Sequence, residues 1–250
     1  MTLTHSLLTT LVLVSLVRSA VGGQAGYTSL ELLSAPGVRP QVRGIIYSRP
    51  STGVRPGLLI LHGSAGLHAG YHACASDLSE AGYVVLLVDL YAETGAVEVG
   101  STRRLEAWAT WQATVRNALG VLRKAPGVDP SRIGIVGFSR GAWLAFTTAG
   151  NAADVRAIAA YYAVGTQPTE WQAGGPAVLL LYGDKDQYAD AAFVERVAAG
   201  LRDAGRRVDL KVYGGAGHGF NFATSDDSNV LLATRDADRR LRAFLAEQLR

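Results

Sequence analysis

Residues 133–142 read Ile133-Gly134-Ile135-Val136-Gly137-Phe138-Ser139-Arg140-Gly141-Ala142. An apolar run breaks at a serine that has glycine two residues away on either side. Arg132–Val136 reads as a buried strand and Ala142–Ala149 as a helix, so this G-x-S-x-G sits in a strand-to-helix turn. So tight a turn leaves no room for side chains near the serine, and Gly137 and Gly141 meet that demand. The serine hydroxyl then projects above the sheet at a helix start, where the dipole favours negative charge. Ser139 is the candidate nucleophile.

Outward from this turn the chain alternates strands and helices. Strand character appears at Val42–Tyr47, Gly57–Leu61, Tyr83–Val88, Ala157–Tyr162, Ala177–Tyr182 and Val208–Tyr213. Helices are expected over Tyr71–Ala81, Ser101–Lys124, Ala191–Leu201 and Leu231–Leu249. Fully apolar strands in repeated βα units imply a mostly parallel sheet covered on both faces. No repeat or long linker divides the chain, so residues 28–250 read as one α/β domain.

Composition agrees. The chain has 250 residues, of which 48% are hydrophobic and 18% charged, which excludes a disordered or coiled-coil protein. The length buries a core without disulfides or metal, and the lone Cys74 excludes a disulfide framework. A net charge of +3 with no Lys/Arg run argues against a nucleic-acid partner. At the start, Leu7 to Val17 is apolar except for Thr9, Thr10 and Ser15, and Ser19, Ala20, Gly22, Gly23 and Ala25 follow. Residues 1–23 therefore read as a secretory signal, cleaved between Ala20 and Ala25, although Met1–Ser6 carries no Lys or Arg. The expected location is secreted or periplasmic, with no stable membrane span after processing, as a monomer or weak homodimer.

A nucleophilic serine needs a base and a carboxylate that orients it. His218 follows a strand in Gly214-Gly215-Ala216-Gly217-His218-Gly219, a loop able to present its ring. Asp184 and Asp186 both follow the Ala177–Tyr182 strand, at the carboxyl end where open α/β sheets build their sites. The oxyanion needs two backbone N–H groups. Arg140 is expected to give one, and the turn His62-Gly63-Ser64-Ala65-Gly66-Leu67 the other, from Ser64 in preference to Gly63. His62, His68, His72 and Cys74 lie near one another but lack an H-E-x-x-H arrangement, so no metal site is assigned. No cofactor is required. Tyr91, Glu93, Trp143 and Tyr188 are candidate pocket neighbours. Ala163 to Pro176 is too short for a cap domain, and Glu170 and Trp171 in it are expected to wall an open site.

Four segments carry a specific resemblance: His62-Gly63-Ser64-Ala65-Gly66-Leu67, Val88-Asp89-Leu90-Tyr91-Ala92, Gly137-Phe138-Ser139-Arg140-Gly141 and Gly215-Ala216-Gly217-His218-Gly219-Phe220. Together they resemble the dienelactone hydrolase family over nearly all of the chain after about residue 28. The resemblance implies a minimal α/β-hydrolase fold and a nucleophile–Asp–His triad, and its Gly-x-x-Asp pattern selects Asp186 over Asp184. The order Ser139, Asp186, His218 is the one such folds use. The family's namesakes carry cysteine where this chain has Ser139, glutamate at Gly63 and a carboxylate-binding arginine at Glu93. The resemblance so altered implies a serine esterase acting on a small neutral or cationic ester. Thioesterase, peptidase or acyltransferase activity would use the same groups. A non-catalytic exported binding protein and a metal protein built on His62, His68, His72 and Cys74 are the readings from other classes.

Overall fold

The computed structural model describes residues 30–32, 39–97, 104–165 and 170–250. The expected leader, residues 1–23, lies outside them. Among the described residues eight strands form one sheet, in the order β1-β2-β4-β3-β5-β6-β7-β8. They are β1 (Leu30–Leu32), β2 (Gly44–Tyr47), β3 (Arg55–Leu61), β4 (Val84–Val88), β5 (Val128–Phe138), β6 (Ala157–Tyr161), β7 (Ala177–Gly183) and β8 (Val208–Tyr213). The first two pair antiparallel, and β3 to β8 are all parallel.

Five helices among the described residues cover the sheet: α1 (Ala69–Glu80), α2 (Arg104–Lys124), α3 (Arg140–Ala149), α4 (Ala191–Asp203) and α5 (Ser228–Gln248). Cover on both faces explains why the inner strands carry no polar alternation. Leu58–Leu61, Val84–Val88 and Ala157–Tyr161 are buried throughout, as parallel strands between two helical layers must be. Each such Leu or Val removed from water contributes about 1.5–3 kcal/mol before entropy is counted. Trp111, on α2, is the largest fully buried side chain. Trp143 on α3 packs on Phe193 of α4. On the opposite face a cleft of about 460 Å³ runs between α1 and α5, lined by Cys74, Asp77, Asp238 and Arg242.

The strand order reverses between β3 and β5. Chain after β3 goes to one side of the sheet, and chain after β5 goes to the other. Such a switch point leaves a crevice at the strands' carboxyl ends. The turn after β3 and the turn after β5 meet there, and those are the two turns that carry Ser64 and Ser139. The described residues between β6 and β7 contain no helix. Among the described residues no helix is long and apolar enough to cross a membrane.

Candidate active site

Ser139 directly follows β5, with φ 54° and ψ −119°, in the positive-φ region that residues with a Cβ avoid. The neighbouring glycines show why the turn holds. A Cβ on Gly137 would lie 2.5 Å from Ala142 Cα, and one on Gly141 would lie 2.4 Å from Leu61 O. Helix α3 therefore starts directly against the ends of β3 and β5. Serine at a helix N-cap usually bonds its own helix. Ser139 makes no such bond, and its hydroxyl points to His218 instead.

Ser139 Oγ lies 2.8 Å from His218 Nε2, and His218 Nδ1 lies 2.8 Å from Asp186 Oδ2. An ionised carboxylate only accepts, so Nδ1 carries the imidazole proton and Nε2 accepts from the serine hydroxyl. The Asp186 side chain is fully buried, and its second oxygen accepts the Tyr188 N–H at 2.8 Å. Asp184, the other aspartate of the pair, does different work: its Oδ1 accepts the Gly215 N–H at 2.7 Å. One carboxylate holds the ring and the other holds the loop that bears it. Gly183 lets that loop cross, since a Cβ there would sit 2.0 Å from Ala216 O.

The His218 ring lies between two tyrosines, with centroids 4.6 Å from Tyr162 and 4.8 Å from the exposed Tyr188. Tyr162 escaped the sequence reading because it continues an apolar strand. It turns out of β6 at φ 37°, and its hydroxyl donates to Asn221 Oδ1 at 2.8 Å.

The turn after β3 abuts the serine: a Cβ on Gly63 would stand 3.3 Å from Ser139 Cβ. The Gly63 N–H is engaged by the Tyr71 hydroxyl oxygen at 2.9 Å, which removes Gly63 as an oxyanion donor. Burial is the main force pushing the Tyr71 phenol up to about 12, so it stays protonated. No acceptor for the Ser64 N–H is found among the described residues. The Gly63 carbonyl accepts from His62 Nδ1 at 2.7 Å and from the Gly66 N–H at 3.2 Å. In a trans peptide the C=O and the following N–H point opposite ways, so fixing this carbonyl fixes the Ser64 N–H. Fully buried His62 accepts the Leu90 N–H at Nε2, 3.0 Å away, which assigns its proton to Nδ1.

Three expected pocket residues take other positions. Tyr91 is buried, and its hydroxyl donates to Ser64 O at 3.1 Å. It supports the turn from beneath. Glu93 accepts the Gln41 N–H at 2.8 Å and faces Arg39. Its backbone hydrogen bond from Gln41 is the main cause holding its carboxyl below the usual range. With that charge committed, the case for cationic substrates drawn from Glu93 lapses. Trp143 is 6% exposed, closed in between Phe146, Phe193 and the Gly165 backbone. Trp171 also departs from expectation. It packs on Phe146 and beneath Arg206, at the opposite end of the strands from Ser139, so it forms no wall.

The histidines assigned to the metal alternative are likewise engaged elsewhere. His72 Nδ1 lies 2.6 Å from the Tyr47 hydroxyl, and His68 caps α1 by accepting the Gly70 N–H. Burial is the main cause pushing the Cys74 thiol up to about 12, which keeps it protonated at neutral pH. Among the described residues no three His, Cys, Asp or Glu side chains converge as metal ligands.

The family model described as "Dienelactone hydrolase family" matches residues 42–249. The chain is 27% identical over 218 residues to a carboxymethylenebutenolidase of Pseudomonas putida, covering 81% of this chain and 90% of that one. It is 29% identical over 188 residues to a relative from Methylorubrum extorquens, 66% of this chain, and spans 63% of that protein's length. Among solved structures, a dienelactone hydrolase-like promiscuous phosphotriesterase, P91, from metagenomic libraries superposes with a TM-score of 0.74. That likeness covers 90% of this chain and all of the other at 18% identity, and it concerns the fold.

Proposed function

The chain belongs to the dienelactone hydrolase family, an esterase-type hydrolase family of the α/β-hydrolase superfamily, and on that premise we propose that it cleaves a carboxylic ester through an acyl-enzyme on Ser139. The observation that carries the reading is the unbroken line from Ser139 Oγ through His218 to Asp186, two contacts of 2.8 Å each.

In this mechanism Ser139 Oγ attacks the ester carbonyl carbon as its proton passes to His218 Nε2. Asp186 fixes the tautomer and stabilises the imidazolium. The N–H groups of Ser64 and Arg140 hold the oxyanion. As the tetrahedral adduct collapses, His218 returns the proton to the departing alcohol. Water then attacks the acyl carbon, giving its proton to His218, and the acid leaves as Ser139 regains a proton. Each step balances with water as the sole co-reactant. The Leu7–Val17 segment and the small residues after it support export as a further part of the proposal.

Hydrolysis of p-nitrophenyl esters of increasing chain length tests the reading. Wild-type turnover should vanish in Ser139→Ala and fall about 10⁴-fold in Asp186→Asn. Undiminished turnover in Ser139→Ala would end the proposal. Parallel thioester, peptide and alcohol-acceptor assays separate the activities that share these groups.

A further inference from the structure

Arg140 stands next to the nucleophile, yet its side chain turns away from it. The residue is buried, 6% exposed. Nη1 donates to the Tyr91 hydroxyl at 2.8 Å and to Val97 O at 3.2 Å, and Cζ lies 5.0 Å from the Trp111 ring centroid. Because the Tyr91 oxygen accepts from a cation, its single proton is directed onward to Ser64 O, 3.1 Å away. Hydrogen bonds in such a chain strengthen one another. Tyr91 is held on its ring side too, 4.8 Å from His62 and 5.5 Å from Trp111.

Both peptide planes around the Ser64 Cα are thereby pinned. His62 and the Gly66 N–H hold the plane before it, and Tyr91, backed by Arg140, holds the plane after it. We infer that the Arg140 guanidinium, acting through Tyr91, is a positioning group for the oxyanion site, setting the Ser64 amide relative to the Arg140 backbone amide. The inference rests on the ester-hydrolase reading above. Its content is that one residue bears on both donors, on one through its own backbone and on the other, jointly with His62 and the Gly66 N–H, through its side chain. A guanidinium suits the task because it keeps its charge when buried and donates in fixed directions. A lysine would supply the charge without that geometry.

A structural brace alone would alter melting temperature, or the fraction of active protein, without changing the chemistry per site. The test therefore measures kcat and KM separately for Tyr91→Phe, Arg140→Met, Arg140→Lys and the Tyr91→Phe/Arg140→Met double variant. Sites are counted by intact mass after exhaustive fluorophosphonate labelling. We expect kcat per site to fall about 10- to 100-fold in Tyr91→Phe and Arg140→Met, less than the loss of an oxyanion donor outright. KM should stay at the wild-type value, the double variant should be no worse than the poorer single one, and Arg140→Lys should recover part of the loss. Affinity for a trifluoromethyl ketone, which forms the tetrahedral adduct, should fall in step with kcat/KM. Tyr91→Phe removes only a hydroxyl, so it decides the matter if Arg140→Met does not fold. Wild-type kcat per site in Tyr91→Phe, or additive losses, would overturn the inference and leave the esterase reading intact. No ester turnover by the wild type would overturn both.

Discussion

Ser139 holds a backbone conformation, φ 54° and ψ −119°, that costs an L residue on the order of 1–3 kcal/mol. The clashes awaiting any Cβ on Gly137 or Gly141 show that the surrounding backbone imposes it. Serine tolerates the strain because its hydroxyl gains a partner in His218. A testable consequence separates strain from chemistry. Both Ser139→Ala and Ser139→Gly should lack turnover, but the glycine variant should melt higher than the alanine one, since glycine adopts positive φ freely. Equal melting temperatures, or a higher one for Ser139→Ala, would show that the turn is not strained. At this scale the sequence showed the serine, the histidine and the aspartate pair. It did not show which neighbours brace them. Tyr91 and Tyr162 act through contacts with residues 20 or more positions away, and His62, which braces the adjacent Gly63, is itself anchored on Leu90, 28 positions on; local pattern carries no trace of such contacts.

Elements were legible where burial is complete. The parallel strands β3 to β7 read as apolar runs because helices cover both sides. Strand β1 was not read, since three residues at the edge of a sheet show no period. The antiparallel pairing of β2 was also hidden, as four residues leave two possible directions. Helix α5 gives an element-scale prediction. Asp236 on α5 accepts from Arg239, from Arg240 Nε at 2.7 Å and from the Tyr213 hydroxyl of β8 at 3.0 Å. The hydrogen bond from Arg239 is the main cause depressing its pKa far below the usual carboxylate range, with Arg240 next. A carboxylate depressed in the folded state stabilises the protein above its unfolded pKa, and the benefit is lost as pH falls toward the folded value. Asp236→Asn should therefore lower the melting temperature at pH 7, and the gap to wild type should narrow as pH drops below about 4. A gap that is constant with pH would mean that the charge of Asp236 contributes nothing.

At the scale of the whole molecule, one topological fact assembles the site. Strands β3 and β5 are neighbours at the point where strand order reverses, which puts the turn carrying Ser64 beside the turn carrying Ser139. The His218 loop after β8 must reach back past β7 and β6, and Asp184 and Gly183 make that return possible. Sequence order alone indicated which strand ends bear the groups. The expected pocket failed at Tyr91, Glu93 and Trp143 because a residue's nearness in sequence to a site does not give its direction. Substrate choice depends on such directions, so it was the least legible property.

The proposed covalent role of Ser139 is tested most directly by reaction with p-nitrophenyl diethyl phosphate, followed by intact mass and peptide mapping. The account predicts stoichiometric p-nitrophenol release and one diethylphosphoryl group on the peptide carrying Ser139, with neither in Ser139→Ala. Label on another residue, or unchanged labelling of Ser139→Ala, would contradict it.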